Sequence, residues 1–214
     1  MSGGKISGRV LVGLFGLLLL GGLGAQAAET FVILEESFES PVVSGRSTTM
    51  PPGWARGHSN SGLWNEESHS LSTPYGKQVL QIFRDNDNPG NSAVWSTNIT
   101  DRLQPGVTYT LTFNVGNGDW YNNTGNAGAN TYKAEILAGT NVIASATAST
   151  STNDMSEEGT VTITTTGASE HLGEFLRVRF WHESGSSYFR TLIDNVKLVA
   201  EETDAFHHTM YIGY

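Results

Sequence analysis

Twelve basic against twenty-one acidic residues give this 214-residue chain a formal charge of -9, and it contains no cysteine. That acidity speaks against nucleic acid as a partner, and the missing thiols exclude disulfides even in an oxidising compartment. A hydrophobic fraction of 38% is enough for a real core, so stability must come from burial, with a bound cation as the other resource.

Lys5 and Arg9 precede an apolar run from Val10 to Leu23, and small residues close it at Ala25, Gln26 and Ala27. This predicts a secretion signal over residues 1–27, leaving a mature chain of about 187 residues. The run holds about 14 residues, short of the ~20 that a membrane-spanning helix needs, so stable insertion is not expected. The expected location is secreted, either periplasmic or extracellular. Loss of Lys5 and Arg9 leaves ten basic residues against the twenty-one acids, a formal -11.

Beyond the leader almost every periodic segment alternates with period two, which predicts an all-β protein. A first strand runs from Phe31 to Phe38 and is stopped by Pro41. The PPGW turn at 51–54 fixes an extended approach to Trp54, which is expected to plug the core. Strands are predicted over Gln78–Phe83 and Ala93–Asn98. Between them the Asp/Asn run at 85–88 reads first as a turn, because these residues bond their own backbones.

The strongest strand is predicted at Thr108–Val115, with Tyr109, Leu111, Phe113 and Val115 on one side. A long polar loop over 116–130 then carries Trp120 and Tyr121, two aromatics with no apolar periodicity to draw them inward. A hairpin at 131–148 turns through Gly139, Thr140 and Asn141. A strand at 159–166 follows, and then one at 174–183, where Leu176, Val178 and Phe180 oppose Arg177, Arg179 and Trp181. The last strand is YFRTLIDNVKLV, 188–199. Around ten short strands predict a two-sheet sandwich or a barrel as one domain over 28–200, with a tail at 201–214.

That last strand places Asp194 where apolar alternation should continue. A carboxylate stranded near a core costs several kcal/mol unless it is paired or bound to a cation. Its nearest sequence partner is Glu39, in SFESP after the first strand. No lysine or arginine is specified for either acid, so the two are expected to share a hard cation.

The ordered segments SFESP, PPGW, LQPGVTYTLTFNVGN, YKAEILAGTNVIASA, GTVTITTT, EFLRVRFWHE and LIDNVKLV resemble the secreted jelly-roll modules of the carbohydrate-binding, galactose-binding-like type. Within these the chain is most similar to the bacterial group that includes the calcium-dependent Stig cyclases of hapalindole and fischerindole biosynthesis. The resemblance spans about 31–199 and implies a two-sheet antiparallel jelly roll. It also implies a structural calcium between first and last strands, held here by Glu39 and Asp194. The cyclase pattern carries a further acid shortly before the DNV aspartate; this chain has Leu192, so the natural alkene-protonating group is missing.

The expected function is therefore binding of carbohydrate or another polar extracellular ligand, with Trp120, Tyr121, Arg177, Arg179 and Trp181 as the ligand-binding candidates and no catalytic residue. A cyclase or glycan-active enzyme on the same fold is the alternative, and a purely structural envelope or matrix protein is the third. Glu135 and Glu183 are the carboxylates that a glycosidase reading would need to face each other.

Overall fold

The computed structural model describes residues 28–65, 73, 75–84, 88–119, 129–151, 155–184 and 189–203. The leader at 1–27, the acidic turn at 85–87, both loop aromatics Trp120 and Tyr121, and the tail from 204 onward lie outside them. In chain order the strands are β1 (Thr30–Glu36), β2 (Trp54–Arg56), β3 (Gly62–Asn65), β4 (Gln78–Phe83), β5 (Ala93–Ser96) and β6 (Val107–Asp119). They continue with β7 (Asn130–Ala138), β8 (Asn141–Thr150), β9 (Glu157–Thr164), β10 (Leu176–Ser184) and β11 (Phe189–Glu202).

Two antiparallel sheets form a jelly-roll sandwich. One runs β3-β4-β11-β6-β9 with β1 also paired to β11; the other runs β2-β5-β10-β7-β8. β11 is the keystone of the first sheet. Its early residues Arg190–Ile193 pair with β4 and its later residues Val196–Glu201 with β1, while β6 runs along its whole opposite side.

Alternation decides the core. Tyr109, Leu111, Phe113 and Val115 of β6 point inward against Leu176, Val178 and Phe180 of β10 and Tyr132, Ala134 and Ile136 of β7, all buried. An aromatic ladder crosses the interior. Phe38 meets Trp54 edge-on at 5.3 Å, Trp54 stacks on Phe180 at 6.2 Å, and Phe113 contacts Phe180 at 4.9 Å and Tyr132 at 5.8 Å. Such pairs add about 0.5–1.5 kcal/mol each beyond the area they bury. Opposite Phe113 on β9 stands Gly159, where a Cβ would come within 2.2 Å of the ring. The glycine is there to admit the aromatic.

Several element ends depart from the alternation reading. β6 continues to Asp119, well into the stretch read as loop, because the glycines and Asn117 still pair with Phe189–Leu192 of β11. β1 stops at Glu36 instead of Phe38. The Glu36 carboxylate accepts the Phe38 N–H at 2.8 Å, and Phe38 takes a left-handed φ of 58° that turns its ring into the core. That local bond ends the strand before Pro41 is reached.

The core closes at one end in a polar layer: Asn117, Asn130, Thr150, His182 and Thr191 are all buried and continue the inward-facing rows. Asn130 donates through Nδ2 to Asn117 at 2.7 Å and to the Arg190 carbonyl at 3.2 Å, tying the two sheets together. His182 is 1% exposed, and neither ring nitrogen makes a hydrogen bond of good geometry. Burial, assisted by the nearby Arg84 charge, pushes its pKa down to about 4. The imidazole is neutral when folded but titrates near its ordinary value when unfolded, so stability from this group is present above pH ~6.5 and lost as pH falls toward 4. The depression corresponds to roughly 3 kcal/mol. In excess calcium, wild type is expected to lose about 2.5 kcal/mol more stability than His182→Gln between pH 7 and pH 4.5, measured by urea unfolding.

Candidate cation and ligand sites

Asp194 lies where β11 departs from regular pairing. It opposes Asn114 of β6, yet the next register pair is Lys197 with Thr112, so β11 carries one extra residue. Asn195 absorbs the bulge with a left-handed φ of 46°, which asparagine tolerates well. The bulge lets Ile193 and Val196, three apart, both face the core while Asp194 turns to the other side. Asn195 is pinned there by its Nδ2 donating to Asn114 Oδ1 at 3.1 Å, and Asn114 Nδ2 donates to the Met155 carbonyl.

The Asp194 side chain is completely buried. Oδ1 accepts the Asn195 N–H at 2.7 Å; Oδ2 has no partner. Burial lifts the carboxyl to about 7, the Asn195 bond opposes the rise, and the charges of Glu39 and Glu36 add to it. The sequence paired Asp194 with Glu39, and the fold brings them within electrostatic reach; Glu36 is the acid that sequence reasoning missed. Its signal was present, since EESFE spaces two acids around the residue that turns inward.

Glu39 is itself held: Oε1 accepts the Lys77 and Gln78 N–H groups, each at 2.9 Å, and packs against Gly76, where a Cβ would approach that oxygen to 2.3 Å. No lysine or arginine neutralises Glu36, Glu39 or Asp194 among the described residues. An orphaned, fully buried carboxylate oxygen facing two further acids fits a cation held by hard oxygen donors. No group of three or more His, Cys, Asp or Glu side chains among the described residues closes around a metal by itself, so backbone carbonyls and solvent would have to complete the six to eight oxygens that calcium takes.

The second candidate site is the outer face of β10. Arg177, Arg179 and Trp181 project away from the core, as their alternation predicts. Arg177 is exposed, whereas Arg179 and Trp181 are half-buried and converge on one carboxylate. Glu135 of β7, directly opposite Arg179, is 4% exposed. Its Oε2 accepts from Arg179 Nε at 2.5 Å and from the Trp181 indole at 2.7 Å, and its Oε1 lies 3.3 Å from Lys133 Nζ. Lys133 also reaches Glu183 at 2.7 Å. Burial alone would raise the Glu135 pKa, but the Trp181 and Arg179 bonds and the two positive charges together hold it below the usual range. Lys133 and Arg179 sit 5.0 and 4.9 Å from the Trp181 ring centroid. Trp95 of β5 pairs with Arg179 on the same face and is half-buried; the sequence reading missed it.

Glu135 and Glu183 thus do come together, but through a shared ammonium. For Glu135 these contacts favour the ionised form, the opposite of the raised pKa a general acid needs.

Leu192 sits in a small apolar cluster of its own with Trp64, Val79 and Met155, on the side of β11 turned from the main core. Trp64 lies over Gly118, where a Cβ would meet its ring at 2.5 Å, and Arg46 stacks on it at 4.0 Å. Beside this cluster Arg190 stacks on Phe83 at 3.9 Å, its pKa brought down to about 9 by burial and by Arg46. Leu192 therefore fills space as packing.

Glu135→Ala is expected to destabilise by about 1–3 kcal/mol, since it strands the Arg179 guanidinium and the Trp181 N–H half-buried. Arg177→Ala should stay within about 0.5 kcal/mol of wild type. Urea unfolding midpoints distinguish the two.

Comparison with known proteins gives these sites a family context. The chain matches the HpiC1-like family model, described as HpiC1 cyclase, over residues 29–199. A cyclase from Fischerella sp. TAU superposes with a TM-score of 0.63 at 24% identity, covering 82% of this chain and 100% of that one. The Stig cyclase Fisc from the same source, in complex with (3Z)-3-(1-methyl-2-pyrrolidinylidene)-3H-indole, gives 0.63 at 23% identity, with 82% and 100% covered. The CBM22-1 xylan-binding domain of Paenibacillus barcinonensis Xyn10C gives 0.48 at 14%, with 85% and 99% covered. No curated protein sequence matches. The two cyclase likenesses, both below 25% identity, establish the jelly roll; the family match extends from the residue before β1 into the end strand that carries Asp194, and by it the chain belongs to the HpiC1-like cyclase family.

Proposed function

We propose that this protein is an exported, calcium-stabilised sandwich that binds a polar extracellular ligand, carbohydrate in the first instance, and does not turn it over. The observation that carries the binding reading is the Glu135 cluster. A buried carboxylate fixes the Trp181 ring and the Arg179 guanidinium in one orientation, and exposed Arg177 lies two residues along the same face. Pre-oriented aromatic and guanidinium groups lose little entropy when they meet a ligand, and an aromatic ring covers the apolar face of a pyranose while charged neighbours bond its hydroxyls. Trp120 and Tyr121, outside the described residues, are proposed as further ligand contacts.

Calcium in this reading is structural. Asp194 Oδ2 and Glu39 through its second oxygen would hold it, with backbone carbonyls and solvent completing the shell, and bound calcium would supply the positive charge that this acidic junction of β1 and β11 lacks. Gln78 supports the arrangement by donating from Nε2 to the Phe38 and Pro41 carbonyls at 3.0 and 3.1 Å, which fixes the chain on either side of Glu39. The apolar leader and the cysteine-free, acidic composition support export to a compartment with abundant calcium.

Family membership favours cyclisation as the second reading. Leu192 argues against it, because the position holds a buried hydrocarbon instead of an acid and its cluster contains no proton donor other than the Trp64 indole.

Two measurements test the proposal. The unfolding temperature of the mature protein is expected to rise with millimolar calcium relative to chelator, by roughly 3 kcal/mol of linkage at a hundredfold excess over Kd, and Asp194→Ala should abolish the response. An unresponsive wild type would remove calcium from the reading. Retention on cellulose, xylan and chitin is expected for wild type on at least one polymer and should be lost in Trp181→Ala. Equal behaviour of the two, together with turnover of an indole-isonitrile terpenoid, would replace binding by cyclisation.

A further inference from the structure

At the end of the sandwich opposite the His182 layer lies an open groove of about 470 Å³. Phe31 and Ile33 of β1, Val107 and Tyr109 of β6, Ala200 of β11 and Pro105 make it mainly apolar. Phe31 is 48% exposed and its neighbour Val32 53%, and Phe175, stacked under Arg102 at 3.7 Å, is 42% exposed near the rim. The β1 edge away from β11 pairs with no other strand among the described residues. An apolar patch around a pocket of this size is uncommon on a finished surface and marks a place that something covers.

The described chain ends at the groove's mouth. Glu202 lines it, and Thr203 is fastened to the Gly106 carbonyl, another lining residue, by its N–H at 2.9 Å and its hydroxyl at 2.8 Å. Eleven residues follow, DAFHHTMYIGY, and five of them are Phe206, Met210, Tyr211, Ile212 and Tyr214. Eleven residues can span roughly 35 Å when extended, ample to cross the groove. A segment this apolar, joined to the chain where an apolar groove opens, has that surface within reach at a high effective concentration.

We infer that the groove is the docking site of the chain's own C-terminal segment, residues 204–214, which seats aromatic and aliphatic side chains against Phe31, Ile33 and Pro105. Seated there, the segment would cover Phe31 and shield the edge of β1 that is unpaired among the described residues from strand-to-strand association.

The test compares the full-length mature chain with the full-length variant Phe206→Ser/Tyr211→Ser/Ile212→Ser by amide hydrogen exchange and by binding of the dye ANS. In the variant, exchange over 30–34 and 103–107 is expected to speed up by about tenfold, while β7 and β10 stay unchanged, and ANS fluorescence should rise severalfold. The synthetic peptide of residues 204–214 added to the variant should restore protection. Unchanged exchange and dye binding would overturn the assignment. Protection in the wild type that disappears on dilution, along with a dimer by light scattering, would overturn it in favour of a second copy's tail. Because calcium and the polysaccharides are absent from this assay, its outcome is independent of the proposed function.

Discussion

The fold depends on how β11 is locked between its neighbours, and β11 is locked around an uncompensated carboxylate. A regular strand there would place Asp194 and Val196 on the same side of the sheet. The extra residue at Asn195 separates them, so the strand can keep a continuous apolar face and still carry an acid at the junction of β1, β6 and the loop holding Glu39. The same bulge marks where pairing on one edge changes from β4 to β1. Charge, register and topology meet at one point.

Compared with that junction, the outer face of β10 is electrostatically complete. Glu135 has more partners than a surface carboxylate ordinarily finds, and each partner orients another group: Arg179 and Lys133 flank the Trp181 ring, and Lys133 passes the contact on to Glu183. A network with its internal charges satisfied leaves the ring edges and exposed guanidinium of Arg177 as the groups available to a ligand. The network is rigid, and it holds the Glu135 carboxyl below the usual carboxylate range through the Trp181 and Arg179 bonds and the charges of Arg179 and Lys133.

The family match shows which fold the chain inherits, and fold alone does not carry an activity. In this chain the side of β11 turned from the main core is packed with Trp64, Val79 and Met155 around Leu192, and two stacked arginines lie beside it. An apolar cluster at this place gives stability, whereas a carboxyl group there would need either a partner or a proton.

Much of this was legible in the residues by themselves. Period-two alternation gave the inward rows of β6 and β10, because burial selects one face of a pleated strand wherever it sits, and the two-sided pattern of 174–183 placed Arg177, Arg179 and Trp181 outside. The anomaly of one acid in an apolar strand was enough to single out Asp194 and Glu39, since an unpaired buried charge is costly in any fold. What the chain alone could not reveal depends on register across distant strands. That Glu135 lies opposite Arg179, that Trp95 shares its face, that Glu36 joins the acids, and that His182 ends an inward row opposite Tyr132 are facts of contact between segments tens of residues apart. Strand ends were misjudged for the same reason: β6 runs on through glycines because β11 supplies the hydrogen bonds, and β1 stops early because Glu36 bonds the Phe38 amide. Sequence determined which side chains must be buried and which charge needed an answer; tertiary structure alone decided who meets whom, because cross-strand contact is set by register and not by distance along the chain.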